Sequence, residues 1–134
     1  MKNIDEIRET FALDRFAVEA AGIVIEEAGQ GCARCTMEIK PVHLNARGTV
    51  MGGAIFTLAD FAVAVAANGL KDEPDTVTLH AGITFLTAAK GKILIAEASC
   101  VKAGRTTGLY DVVITDELGT LVAKGEVNGF IVNK

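Results

Sequence analysis

The stretch that most limits how this chain can fold is residues 52 to 68, GGAIFTLADFAVAVAAN, which reads as one long helix with a single charge, Asp60. A helix that is apolar on every side cannot lie on a surface with one face in water, so other parts of the chain must wrap it. Residues 52 to 70 are long enough to raise the question of a membrane span. Asp60 lies inside the run, its many alanines make it weakly hydrophobic, and aromatic or basic anchors do not flank both ends. A spanning helix needs more hydrophobic side chains than these, so the expectation is a helix enclosed by protein.

The remaining sequence supplies the wrapping. Residues 3 to 12 have the pattern of a short amphipathic helix with Ile4, Ile7 and Phe11 on one side. An apolar patch from Phe16 to Ala21 runs into a strand around Ile23 to Glu27, AGQG at 28 to 31 is a turn, and residues 32 to 40 return as a strand ending at Pro41. Residues 42 to 51 form an irregular loop holding His43, Asn45 and Gly48. Beyond the long helix, KDEPD at 71 to 75 is a solvated loop. Four strand-like runs follow, at 76 to 87, 92 to 102, 106 to 115 and 120 to 132, joined by AAKG, AGR and DELG. Such short joints predict an antiparallel meander. One long helix with about six antiparallel strands is an α+β layout in which the sheet wraps the helix. With 134 residues, half of them hydrophobic, the chain has enough apolar surface for a core without metals or disulfides. Residues 1–134 therefore read as one domain, with no repeat or low-complexity segment.

Several functional classes are disfavoured. A net charge of −4 and the lack of a basic run argue against nucleic acid as a partner. The N-terminal MKNIDEIRETF has no apolar segment of the kind that directs secretion, which points to the cytoplasm. Cys32 and Cys35 form a CxxC, but they fall in an alternating strand pattern, where residues three apart point to opposite faces. They cannot readily share a metal, and reduced thiols are expected.

Two oddities point to chemistry. Asp60 lies too far into its helix to cap it, among Leu58, Ala59, Phe61, Ala62 and Val63. An ionised carboxylate there must be paired, neutralised or facing a cavity, and a purely structural hydrogen bond would also account for it. Gly52 and Gly53 are poor helix formers, yet they open the helix. Bare N–H groups at a helix N-terminus suit an oxyanion or an anion, although a tight turn would also use glycine. Eight residues of helix separate Gly52 from Asp60 by about 12 Å. One carbonyl cannot meet both. Two such helices packed antiparallel across a two-fold axis would bring Gly52 of one copy to Asp60 of the other.

The run HLNARGTVMGGAIFTLADFAVAVAAN resembles the core motif of hotdog-fold thioesterases of the PaaI type, through Asn45, Gly48, Gly52, Gly53, Leu58 and Asp60. The resemblance implies a sheet wrapped around one helix, and hydrolysis of acyl-CoA or aryl-CoA thioesters at the interface of a homodimer, with a dimer of dimers as the larger assembly. It implies no cofactor, coenzyme A being part of the substrate. It further implies that the Gly52 N–H, helped by the Asn45 side chain, binds the thioester carbonyl. Asp60 acts as general base or nucleophile, and the Thr78 hydroxyl orients water or the carboxylate. In the family a histidine usually precedes the two glycines, whereas this chain has Met51, which neither donates a hydrogen bond nor titrates. His43 reads as structural rather than as a substitute, and His80, on a strand with Thr78, is a weaker candidate still. For the phosphates of coenzyme A the resemblance points to the turn around Lys102, Gly104, Arg105 and Thr106, with Lys90 in another turn. Two alternatives remain open at this level. One is an acyl-CoA-binding protein without turnover, for which Met51 is the argument. The other is an acyl-thioester hydratase or dehydratase, which would ordinarily need a catalytic histidine that the helix region lacks.

Overall fold

The computed structural model of the chain describes residues 2–132. Helix α1 (Ile4–Phe11) is followed by a short π-helical turn (Phe16–Ala20), strands β1 (Ile23–Gly29) and β2 (Cys32–Glu38), and a 3-10 turn (Pro41–His43). Helix α2 (Gly52–Asn68) comes next, and then β3 (Thr76–Phe85), β4 (Ile93–Ala103), β5 (Thr107–Asp116) and β6 (Leu121–Ile131). All neighbouring strands are antiparallel, in one sheet ordered β1-β2-β4-β5-β6-β3. The sheet curls around α2 in the hotdog arrangement. Leu58, Ala59, Ala62 and Val65 of the helix are buried against Cys35, Met37, Leu94, Ala96, Val112 and Ile114 of the strands. Alanine on the helix lets the concave face come close, and Met37, Leu94, Val112 and Ile114 fill the sheet side.

Two expectations need correction. Only β4, β5 and β6 form a meander: β3 pairs with β6 at the far edge and not with β4. The AAKG joint is therefore a crossover past two strands, not a hairpin. Seven residues, 86 to 92, extend to about 23 Å, enough to cross three strand spacings of about 4.8 Å. Nor is α2 enclosed on all sides. Gly53 and Phe56 are exposed and Thr57, Asp60, Ala64 and Ala67 half-buried, at a spacing that places them along one stripe.

The elements beside this stripe are tied in place. Phe11 of α1 meets Phe61 of α2 edge-on, with ring centroids 5.6 Å apart. The Arg8 guanidinium donates to the Ile25 carbonyl at 2.9 and 2.7 Å, joining α1 to β1. Asn68, 3% exposed, closes the other end of α2. Its amide nitrogen donates to the carbonyls of Ala64 and Thr76, and its oxygen accepts the N–H groups of Asp75 and Thr76. At the opposite end of the sheet, buried Asp116 accepts the N–H groups of Lys90, Gly91, Leu118 and Thr120, and Glu117 accepts those of Lys92 and Ile93. These two carboxylates staple the β3–β4 crossover to the β5–β6 turn.

Asn68→Leu removes four side-chain hydrogen bonds to half-buried backbone groups and should cost about 2–3 kcal/mol in a denaturant melt. Burial alone would raise the Asp116 carboxyl, but the N–H groups of Lys90, Thr120 and Gly91 outweigh it and hold it well below the usual carboxylate range. The Lys92 and Ile93 N–H groups lower Glu117 likewise. Because both folded-state values are depressed, their stabilisation is complete above the unfolded value of about 4 and is lost as pH falls below it. Thermal melts from pH 7 to 2.5 should therefore show a steep loss below about pH 4. Asp116→Asn should be less stable at pH 7 and show a shallower acid limb.

Candidate active site

Asp60 faces the open stripe of α2, and the Thr78 hydroxyl donates to its Oδ1 at 2.6 Å. This pairing depends on an irregularity in β3. Thr78 lies opposite Gly129 of β6, but His80 lies opposite Asn128, so Leu79 is an extra residue in the ladder. Before the bulge, Thr76 and Thr78 face α2. Beyond it, Ala81, Ile83 and Phe85 do so, opposite the buried Val127, Gly125 and Ala123. His80 is thereby turned to the outer face, away from Thr78 and Asp60. Gly129 lets β3 approach at this level, since a Cβ there would lie 2.8 Å from the Thr76 methyl.

The start of α2 is built differently. Met51 is its N-cap residue and offers no side-chain cap, while the N–H groups of Ala54 and Ile55 both reach the Met51 carbonyl. The N–H groups of Gly52 and Gly53 have no acceptor among the described residues. At position 52 a side chain would crowd the Phe85 ring, whose Cζ would lie 3.1 Å from an added Cβ. The Met51 side chain is exposed, and its methyl lies over Gly53. In the preceding loop the Asn45 Oδ1 accepts the N–H groups of Arg47 and Thr49 and the Thr49 hydroxyl, which leaves its Nδ2 to face outward as a donor. Leu44 and Val50 form a bridge across the base of this loop.

Clefts flank Asp60 on both sides. One, of about 480 Å³, lies against Leu13, Val63, Ala67, Val77 and Thr78. The other, of about 410 Å³, lies against Phe16, Phe56, Thr57 and Phe61. Asp14 lines both. Burial raises its carboxyl above the ordinary value, and the charge of Asp60 raises it further. Asp14 was not among the candidates from the sequence. Its only signal there is a charge between Leu13 and Phe16, which any solvated turn could show.

The basic residues expected near a phosphate do not meet in one chain. Lys102 is at the end of β4, and Gly104, Arg105 and Thr106 form the exposed turn into β5. Lys90 belongs to the crossover at the opposite end, with its N–H on Asp116. The length of β4, about 33 Å, separates the two groups. Cys32 is exposed and Cys35 buried, so the CxxC thiols do lie on opposite faces. No group of three or more His, Cys, Asp or Glu among the described residues could hold a metal.

Residues 47–123 match the model of the thioesterase superfamily. The chain belongs to this superfamily, in its PaaI-type branch. It is 35% identical to the acyl-coenzyme A thioesterase PaaI of Escherichia coli over 108 residues, 78% of this chain and 74% of that one. The structure of the E. coli PaaI protein superposes with a TM-score of 0.83 at 26% identity, covering 98% of this chain and 97% of that chain. Human acyl-coenzyme A thioesterase 13 is 30% identical over 105 residues, 77% of this chain and 75% of the relative. A hypothetical thioesterase from Streptococcus pneumoniae TIGR4, solved with coenzyme A, has a TM-score of 0.79 at 30% identity, with 97% of each chain covered.

Within this thioesterase scaffold the cysteines differ in accessibility. Burial, with a smaller contribution from Glu26, pushes the Cys35 thiol up to about 12. Titration with an aromatic disulfide at pH 8 should modify Cys32 readily, and Cys35 only after denaturation. Rapid labelling of Cys35 in the folded protein would contradict this burial.

Proposed function

We propose that the chain hydrolyses acyl-CoA or aryl-CoA thioesters to the free acid and coenzyme A, at sites shared between two copies of itself. The observation that carries this reading is the Asp60 carboxylate, bonded to Thr78 and bordered by apolar clefts on an open stripe of α2. Coenzyme A on the S. pneumoniae neighbour and the names of the PaaI and human relatives favour the acyl-CoA class. In the proposed reaction the thioester carbonyl accepts the Gly52 N–H, with Asn45 Nδ2 as a second donor. Asp60 takes a proton from the attacking water, and the oxyanion forms against the donors. Collapse breaks the C–S bond, and the departing thiolate receives the proton from Asp60. Asp60 as a nucleophile, forming an anhydride that water then opens, uses the same groups. Thr78, by donating to one oxygen, leaves the other for water.

The second copy is needed because about 12 Å of helix separates Gly52 from Asp60 in one chain. Strand β3 supports it. It is an edge strand with exposed Val77, Leu79 and Phe85, and such an edge invites pairing with another chain. A two-fold axis at this edge sets the α2 stripes against each other in antiparallel order. It also brings Lys90 of one copy toward the end that carries Lys102, Gly104, Arg105 and Thr106 of the other, so that cations separated in one chain converge on one set of phosphates. A dimer of dimers would extend this arrangement. Met51, lying over Gly53, becomes part of the wall beside the reacting group, and the Gly52 donor does not depend on its side chain. We further propose that residues 1–134 act as one hotdog unit in the cytoplasm, consistent with three free cysteines; no helix among the described residues is long and apolar enough to cross a membrane.

Release of free thiol from a panel of acyl- and aryl-CoA esters tests the reaction. Asp60→Asn should lower kcat by at least about 100-fold, Thr78→Val by less, and Thr78→Ser should retain most activity. Equal binding of the esters by wild type and Asp60→Asn, with no thiol released by either, would overturn hydrolysis in favour of the binding protein that Met51 suggests. Sedimentation should show a dimer or a tetramer, and a fully active monomer would refute the shared site.

A further inference from the structure

His43 is 6% exposed, and both of its ring nitrogens are engaged. Nδ1 accepts the Lys40 N–H at 3.0 Å, and Nε2 lies 2.8 Å from the Ala21 carbonyl. These partners together require the neutral ring with its proton on Nε2, accepting at one nitrogen and donating at the other. The ring therefore links the end of the π-helical turn, at Ala21, to the exit of β2, at Lys40. The main chain of the same residue performs a second task. Its carbonyl accepts the Met51 N–H at 2.8 Å and closes the neck of the loop that runs from 43 to 51. Inside that neck, the Asn45 N–H donates to the Thr49 carbonyl at 2.8 Å and Leu44 bridges Val50.

The two donors assigned to the thioester carbonyl sit on either side of this neck. Asn45 is two residues inside it and Gly52 is the first residue beyond it. The α2 N-terminus has no side-chain cap to locate it, and the loop is exposed from Leu44 to Gly48. The aim of both donors thus depends on where the His43 backbone is held, and the buried ring holds it. Donors to a developing oxyanion lose most of their effect when displaced by a fraction of an ångström.

We propose that His43 is the positioning residue of the oxyanion site, fixing the Gly52 N–H and the Asn45 Nδ2 in place from behind through its two ring hydrogen bonds. In a chain with methionine beside the donor, the imidazole that serves the site does so without touching substrate. This inference rests on the thioesterase reading above and adds a residue to it.

Three substitutions separate the two ring bonds. His43→Asn offers an oxygen near the place of Nδ1 for Lys40, His43→Gln offers an amide nitrogen near the place of Nε2 for Ala21, and His43→Leu offers neither. A donor that acts on the transition state more than on bound substrate should appear in kcat rather than KM. His43→Leu should lower kcat about 10- to 100-fold with KM within about threefold, and His43→Asn or His43→Gln should recover part of the loss. A second readout reports the carbonyl directly. An acyl-CoA analogue in which CH₂ replaces the thioester sulfur, carrying a ¹³C-labelled carbonyl, should show an infrared band lowered on binding to the wild type, and less lowered in the His43 variants. Circular dichroism and sedimentation identify the variants that keep the fold and assembly. If His43→Leu does not fold, the Asn and Gln variants decide. Folded variants that keep both wild-type kcat and the wild-type band position would overturn the role of His43 alone. A band that does not move even in the wild type would remove the oxyanion site itself, and with it the reading on which His43 depends.

Discussion

Burying α2 is the physical requirement around which the molecule is arranged. Leu58, Ala59, Ala62 and Val65 have almost no contact with water, and only a sheet that curves around the helix can cover so wide an arc. Curvature brings the two edges of the sheet toward the same helix, so the chain can pass from β3 to β4 across the end instead of turning back in a hairpin. It also makes the ends of the sheet expensive, since loop backbone there must be satisfied without strand partners. Asn68 at one end and Asp116 with Glu117 at the other do this with side-chain hydrogen bonds, and among the described residues no buried side-chain polar atom is left without a partner.

The arc is not closed, and the proposed site lies where it stops. Because β3 is an edge strand, the stripe of α2 beside it keeps Asp60 half-buried, with an apolar cleft on either side. The Leu79 bulge completes the arrangement, because it turns Thr78 inward at the level of Asp60 and Phe85 inward at the level of Gly52. One extra residue in an edge strand thus supplies the partner of the carboxylate and the ring that packs against the glycine at the helix start.

Legibility differed among these features for identifiable reasons. The limits of α2 could be read because Gly52 and Gly53 open it and the solvated KDEPD segment ends it. The six strands followed from strand-like runs set off by turns, and the opposite faces of Cys32 and Cys35 from alternation. Asp60 stood out as the one charge in an apolar helix, and the motif around it identified the family. The crossover did not show, since the residues joining β3 to β4 have the length and composition of a loose turn. His80 and Thr78 read as residues of one strand, and only the Leu79 bulge turns their side chains to opposite faces. Asp14 carried no pattern at all. It faces Asp60 only because Phe11 packs on Phe61 and brings the segment after α1 over the helix.

By itself, the sequence determined the α+β class, the buried helix, the strand count and the motif with its lone carboxylate. These depend on periodicity and residue type, which act locally along the chain. Tertiary structure alone decided which strands pair across the crossover, which face each β3 side chain takes, and how His43 and Asp14 stand to Met51 and Asp60. Those relations join residues distant in the chain through hydrogen bonds and packing, and a single inserted residue such as Leu79 reverses them without changing any local pattern.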